Sequence, residues 1–284
     1  MTPKFIMVAS SKGGVGKSTA AIGIARALCD RGGRVLIADL DFGNACLDML
    51  FGVQDSVVGT LQDVCLGNAE IERVLIKIEE RPQKRKLLAK KQRDGKKPGE
   101  LWLLPSSVGG IGCVPGISGE LGINDTALSD ALRAAAEHIE ADYVMIDTGA
   151  GFNSAVISAA RVADTALVVA GQMPVALRSA QTTGERLATL GVKDIRLVIN
   201  SFDCKGVISD ARKGLFGIID ESRAPLAGVI PYDYGLMLTH EGLVSRDRDA
   251  RIAFANIAAR LCRENVPLFN GIKRLRKLKN KICL

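Results

Sequence analysis

One short stretch, Lys12-Gly-Gly-Val-Gly-Lys-Ser-Thr19, limits what this chain can fold into more than any other. It follows the apolar run Phe5-Ile-Met-Val-Ala-Ser-Ser11 and leads into Ala20-Ala-Ile-Gly-Ile-Ala-Arg-Ala-Leu28, whose periodicity is helical. Strand, glycine-rich turn and helix in that order form the context of a phosphate-binding loop. Gly13, Gly14 and Gly16 let backbone N–H groups close around phosphate oxygens, with Val15 between them. Lys17 carries a charge to the β and γ positions, the Ser18 hydroxyl can ligate Mg²⁺, and Thr19 completes the loop. The helix that starts near Lys17 adds its dipole at the same point. The expected ligand is a nucleoside triphosphate with magnesium.

Two further strands end in carboxylates. Arg34-Val-Leu-Ile-Ala-Asp39 is followed by Asp41, and Tyr143-Val-Met-Ile-Asp147 ends in the position of a Walker B aspartate. Carboxylates at the C-terminal ends of strands beside a phosphate loop sit where a metal or an attacking water is organised. Apolar segments at Glu100-Leu-Trp-Leu-Leu-Pro105, Ala166-Leu-Val-Val-Ala170, Ile195-Arg-Leu-Val-Ile199 and Leu226-Ala-Gly-Val-Ile-Pro231 read as more strands. Helical segments are expected at 124–139, 179–190 and 249–263. That alternation predicts an α/β fold with a mainly parallel sheet covered by helices on both faces. At 284 residues the chain is long enough for a large core. Its seven cysteines form no Cys-x-x-Cys and only two histidines are present, so reduced thiols and no zinc site are expected. No apolar run of eighteen residues and no leader pattern occurs, which suggests a cytosolic chain.

The loop departs from the common pattern in its first lysine. Ser11-Lys12-Gly-Gly-Val-Gly-Lys-Ser-Thr19 resembles the deviant Walker A loop of the MinD/ParA family of ATPases, and Asp39-Leu-Asp41 and Asp147-Thr-Gly-Ala-Gly151 resemble its two switch motifs. The resemblance implies an ATPase that dimerises with ATP. It implies that Lys12 reaches the partner's nucleotide, Lys17 acts in cis, Asp41 orients the hydrolytic water, and Ser18, Asp39 and Asp147 serve Mg²⁺. It also implies that Asn200 contacts adenine and that the loop Pro231-Tyr-Asp233 packs against the base. The chain departs from the family at Ala45 and Cys46, where Arg and Asn are usual, and at Gly149, where Pro is usual.

Two segments are strongly basic. Residues 77–97 hold ten Lys and Arg against three acidic residues, within an insertion at about 77–99. Such a run reads as a solvated excursion or as a contact for a polyanion. The tail beyond Val266 repeats Ile272, Leu275, Leu278 and Ile282 at helical spacing, with Phe269 before them, and places Lys273, Arg274, Arg276, Lys277, Lys279 and Lys281 on the other faces. One apolar stripe with basic flanks is the pattern of a helix lying in an anionic interface; the bland alternative is a terminal helix packed on its own body. The net charge is only +7, so the body without these two segments is acidic, which argues against a DNA-binding surface within the core fold.

The expected organisation is therefore an ATPase domain over 1–265 and a basic amphipathic membrane-targeting segment over 266–284. The implied function is an ATP-dependent dimerising switch that is cytoplasmic and joins the inner membrane surface in its ATP state. It would position division or flagellar machinery in response to a regulatory protein partner. The alternative is a ParA-like partition or cargo-positioning ATPase bound to the nucleoid, with nucleic acid as the second-choice partner. An iron–sulfur role, known in other proteins of this fold, finds no cysteine pair here.

Overall fold

The chain begins with a strand because Phe5 to Ala9 are apolar throughout and end in a turn-forming sequence. A computed structural model describes residues 2–42, 44–79, 99–107, 125–203, 217–218, 224–233 and 248–268. Strand β1 (Lys4–Ser10) is followed by α1 (Lys17–Cys29), β2 (Arg34–Leu40), α2 (Leu47–Phe51), α3 (Leu61–Cys65), α4 (Ile71–Val74), β3 (Ile76–Lys77) and β4 (Glu100–Leu104). Then come α5 (Asp125–His138), β5 (Tyr143–Ala150), α6 (Ser154–Val162), β6 (Thr165–Ala170), α7 (Pro174–Thr189), β7 (Asp194–Phe202), β8 (Leu226–Pro231) and α8 (Arg248–Leu261).

Eight strands form one sheet in the order β3-β4-β2-β5-β1-β6-β7-β8. Every pairing is parallel except the short edge pair β3–β4. Central strands of such a sheet bury both faces and so read as continuous apolar runs, as β1, β2 and β6 do. Helices α1, α2 and α8 cover one face, where Ile22, Ile24, Phe51, Phe254 and Ile257 pack on Ile6, Val8 and Ile37. Helices α3 to α7 cover the other, where Leu132, Val156 and Leu177 pack on Met7, Leu36 and Val144. The expected α/β architecture is the observed one.

Local chemistry sets the helix ends. Thr60 and Asp63 form a reciprocal capping box at the start of α3. Asn153 caps α6 by accepting a hydrogen bond from the Val156 N–H at 3.0 Å. Helix α7 starts five residues earlier than the apolar periodicity indicated, with Pro174 in its first turn, where a missing N–H costs nothing. Two strands also run further than expected. β5 continues through Thr148 and Gly149 to Ala150, which pairs with Ser10, and the turn comes only at Gly151. β7 continues past Asn200 to Phe202. Lys77, the first residue of the basic run, is a strand residue paired with Trp102 rather than part of an excursion. Residues 80–98 and the tail from 269 lie outside the described residues, and so do Phe269, Ile272, Lys273, Arg274, Leu275 and Leu278. Among the described residues no helix is long and apolar enough to cross a membrane, and Cys29, Cys46, Cys65 and Cys262 form no disulfide.

Candidate nucleotide site

Strand β1 lies at the middle of the sheet, between β5 and β6, and the loop after it opens at the C-terminal edge where ligands of open α/β sheets bind. The Ser10 hydroxyl donates to the Lys12 carbonyl at 2.7 Å, which turns the chain directly at the strand end. Lys12 is exposed, whereas Lys17, at the first position of α1, is buried with 7 % of its surface exposed. Side chains added at Gly13 or Gly14 would meet nothing within 4 Å, so an open cradle lies above the loop.

Gly16 is required for two separate reasons. Its φ of 87° lies in the left-handed region, and a Cβ there would come within 2.1 Å of Asn200 Nδ2. That amide donates to the Val15 carbonyl at 2.9 Å. Asn200, two residues before the end of β7 and 7 % exposed, thus braces the phosphate loop from the flank of β1 opposite the carboxylates. Sequence reasoning offered Asn200 only as a base contact. Its grip on the loop depends on a pairing between residues 185 positions apart, which no local pattern reveals.

The carboxylates converge on the other flank. Asp39 on β2 and Asp147 on β5 are register partners, each 1 % exposed. Asp39 Oδ1 accepts from the Asp41 N–H at 2.9 Å, and Oδ2 accepts from the N–H groups of Cys46 at 3.0 Å and Leu47 at 3.1 Å. This carboxylate ties down both ends of the 41–47 loop; burial pushes it up to about 6 despite those three bonds. Asp147 is different. Neither of its oxygens accepts a hydrogen bond of ordinary geometry, and burial pushes it up to about 7, opposed by the nearby Ser18 hydroxyl and Lys17 ammonium.

An orphaned buried carboxylate next to a helix-start serine fits a hard cation. Among the described residues no cluster of three His, Cys, Asp or Glu side chains is arranged to hold a metal. Ser18 and Asp147 would therefore supply the protein's share of a Mg²⁺ shell, with phosphate and water oxygens supplying the rest, as is usual for this ion. Bound there, Mg²⁺ would neutralise charge on the terminal phosphates. Asp39 would act on that shell at one remove, through the loop it anchors.

Cys46, one of the departures from the family pattern, places Sγ 3.8 Å from Ser18 Oγ, and burial pushes its thiol up to about 11. It is a neutral neighbour of the cation position. Thr148 spends its hydroxyl on the Val8 carbonyl at 2.9 Å and so fixes β5 to β1 just beyond Asp147. Asp41 is half-buried, and the space over Gly149 brings its Oδ1 close to β5. Pro231 ends β8, and the buried Asp233 lies two residues beyond it, on the same side of β1 as Asn200.

A phosphate loop with an extra leading lysine, a helix-start serine and two strand-end aspartates defines a dimerising P-loop ATPase of the deviant Walker A class. The family described as the CobQ/CobB/MinD/ParA nucleotide binding domain matches residues 6–242, and the chain belongs to that family. It is an ATP-hydrolysing enzyme, and use of ATP with Mg²⁺ is typical of its relatives. The chain is 27 % identical over 286 residues to the septum site-determining protein MinD of Synechocystis, covering 98 % of this chain and 97 % of that one. It is 28 % identical over 282 residues to MinD of Thermotoga maritima, covering 96 % and 93 %. Among solved structures it superposes on the MinC:MinD cell division protein complex of Aquifex aeolicus with a TM-score of 0.75 at 27 % identity, covering 93 % of this chain and 98 % of that one. Plasmid partition proteins of Borrelia burgdorferi share the fold, one with a TM-score of 0.70 at 21 % identity, covering 92 % of this chain and 99 % of that one.

Proposed function

We propose that this ATPase is a membrane-associating switch that positions division or flagellar machinery from the cytoplasmic face of the membrane. The observation that carries the reading is the tail sequence: Ile272, Leu275, Leu278 and Ile282, with Phe269 before them, recur at helical spacing, and Lys273 and Arg274 begin the basic residues between them. ATP would bring two copies together, with Lys12 of each reaching the other's phosphates and Asp41 orienting the water. One short amphipathic helix binds weakly, but two on one particle raise each other's effective concentration at the surface, so the ATP state is the membrane state. Hydrolysis separates the copies and releases both helices.

The relatives support parts of this. Those named septum site-determining proteins match along almost the whole chain, which favours a division-type role and one ATPase unit over 1–265 followed by a targeting segment over 266–284. One relative was solved in a complex with MinC, which supports a regulatory protein partner here, and the unpartnered carboxylate of Asp147 supports magnesium there with Ser18. The base would lie against Asn200 and the loop from Pro231 to Asp233.

Co-sedimentation with anionic liposomes and with non-specific duplex DNA, each with ADP and with ATP, tests the reading. ATP should drive the protein onto liposomes. Changing Ile272 and Leu275 to Glu should abolish that binding and spare ATP-dependent dimerisation, because electrostatic contact with DNA needs only the basic residues whereas entry into lipid needs the stripe. Binding to DNA in ATP without liposome binding, persisting after removal of 268–284, would replace the membrane reading with nucleoid partition.

A further inference from the structure

Cys46 stands at the N-cap position of α2, yet its side chain makes no capping bond there. Its S–H donates instead to the helix-start serine, with Sγ 3.8 Å from Ser18 Oγ. The backbone holds the thiol in place. Asp39 Oδ2 accepts from the N–H groups of Cys46 and Leu47, which fixes the residue to the end of β2, in register with Asp147 on β5. Asp147 itself is 1 % exposed, and neither of its oxygens has a partner of ordinary geometry. It lies near enough to the Ser18 hydroxyl to be stabilised by it, and near enough to Cys46 for its charge to act on the thiol. Hydroxyl, thiol and orphaned carboxylate thus share one place beside the phosphate loop.

We propose that Cys46 determines the metal specificity of this site, giving it a sulfur ligand through which it takes a thiophilic divalent ion of the Zn²⁺ or Cd²⁺ class as well as Mg²⁺. The inference rests on the reading of Ser18 and Asp147 as the protein's share of the cation shell. Mg²⁺ is hard and keeps to oxygen, so beside it the thiol stays a bystander. A softer ion prefers thiolate. The separation suits such an ion. With bonds of about 2.1 Å to oxygen and about 2.3 Å to sulfur, two ligands of one ion lie about 3–4 Å apart, and 3.8 Å between Ser18 Oγ and Cys46 Sγ falls in that range. Binding exchanges the S–H proton for the metal and releases the proton to solvent. Asparagine, the usual family residue at this position, offers only a hard amide oxygen and confers no such preference. Ser18 belongs to α1 and Cys46 to the loop before α2, so an ion held by both fastens the 41–47 loop to the phosphate loop.

Cadmium bound to a thiolate absorbs in the ultraviolet by sulfur-to-metal charge transfer, a signature that reports the bond without any turnover. The full chain loaded with ADP is titrated with Cd²⁺ and, separately, with Mg²⁺, followed by absorbance and by calorimetry, in the wild type, Cys46→Ser and Cys46→Asn. Wild type should show a charge-transfer band that depends on ADP, and both variants should lack it. The ratio of Cd²⁺ to Mg²⁺ affinity should fall about tenfold or more in each variant. A band that survives in the variants comes from another cysteine and overturns the assignment, as does a wild type without the band or an unchanged ratio. Asp147→Asn distinguishes failure of the underlying reading. If it keeps Mg²⁺ affinity within about twofold of wild type, the cation site itself is misplaced and the inference falls with it. If it loses Mg²⁺ while the Cys46 variants keep the wild-type ratio, the site stands and the role of Cys46 does not.

Discussion

Asp39 and Asp147 face each other as register partners on neighbouring parallel strands, yet only Asp39 finds hydrogen-bond donors. Burial raises the cost of ionising both carboxylates, and the charge of Asp39 adds to it at Asp147. The pair therefore carries a built-in deficit of positive charge that a cation corrects.

A pH dependence follows from that deficit. In the unfolded chain both groups lose their protons near pH 4, whereas in the fold they keep them up to about 6 and about 7. Between those limits the folded protein binds more protons, so the nucleotide-free protein loses stability as pH rises from about 4 to about 7, by an amount on the order of a few kcal/mol. Mg²⁺ with nucleotide favours the ionised form, so the thermal stabilisation it confers should grow over the same window. Melting curves from pH 5 to 8, with and without Mg-ADP, measure both slopes. Asp147→Asn should flatten them, and an unaltered slope in that variant would show that the dependence arises elsewhere.

The two lysines of the loop should fail differently. Lys17 is buried at the start of α1 and should be needed for binding itself, so Lys17→Ala is expected to abolish affinity for a slowly hydrolysed ATP analogue in titration calorimetry. Lys12 is exposed and points its role outward, so Lys12→Ala should bind the analogue yet sediment as a monomer. Normal dimerisation of the Lys12 variant would rule out its action across the interface.

Asp41→Ala should dimerise with ATP and release phosphate at least tenfold more slowly than wild type, the loss typical of a positioned acid–base group. Slow turnover accompanied by loss of the dimer would mean that Asp41 supports the interface rather than the water.

Gly16→Ala combines a left-handed backbone with a collision against the Asn200 amide. It should weaken nucleotide binding by more than tenfold, about 1.5–3 kcal/mol, and by more than Asn200→Ala does. In the double variant the collision disappears, so its loss should be smaller than the sum of the two; strict additivity in titration would mean that the two residues do not interact through the loop.

Much of this fold was legible because its signals are local. The phosphate loop, the strand-end aspartates and the apolar runs of β1, β2 and β6 each announce themselves within ten residues. The strand that carries Asp147 was found, but its continuation through Thr148 and Gly149 was not, because glycine weakens any strand pattern and the pairing of Ala150 is with distant Ser10. The early start of α7 was marked by Pro174, a signal present in the sequence. What could not be read were the side-chain bonds without a local pattern: Asp39 to the backbone at 46 and 47, Asn200 to Val15, and Thr148 to Val8.

The position of β1 at the centre of the sheet has a consequence for how this protein can change over evolutionary time. Asp39, Asp41 and Asp147 lie on the β2 and β5 flank, Asn200 lies on the β7 flank, and Asn200 reaches the other side through the loop that begins at Lys12 and ends at Lys17. With the base placed as proposed against Asn200 and the loop from Pro231 to Asp233, a substitution near β7 or β8 would alter base recognition and reach the phosphate side only through the Val15 carbonyl. Clock and recognition are thus separate parts joined by one narrow span, and each can be tuned while the other runs.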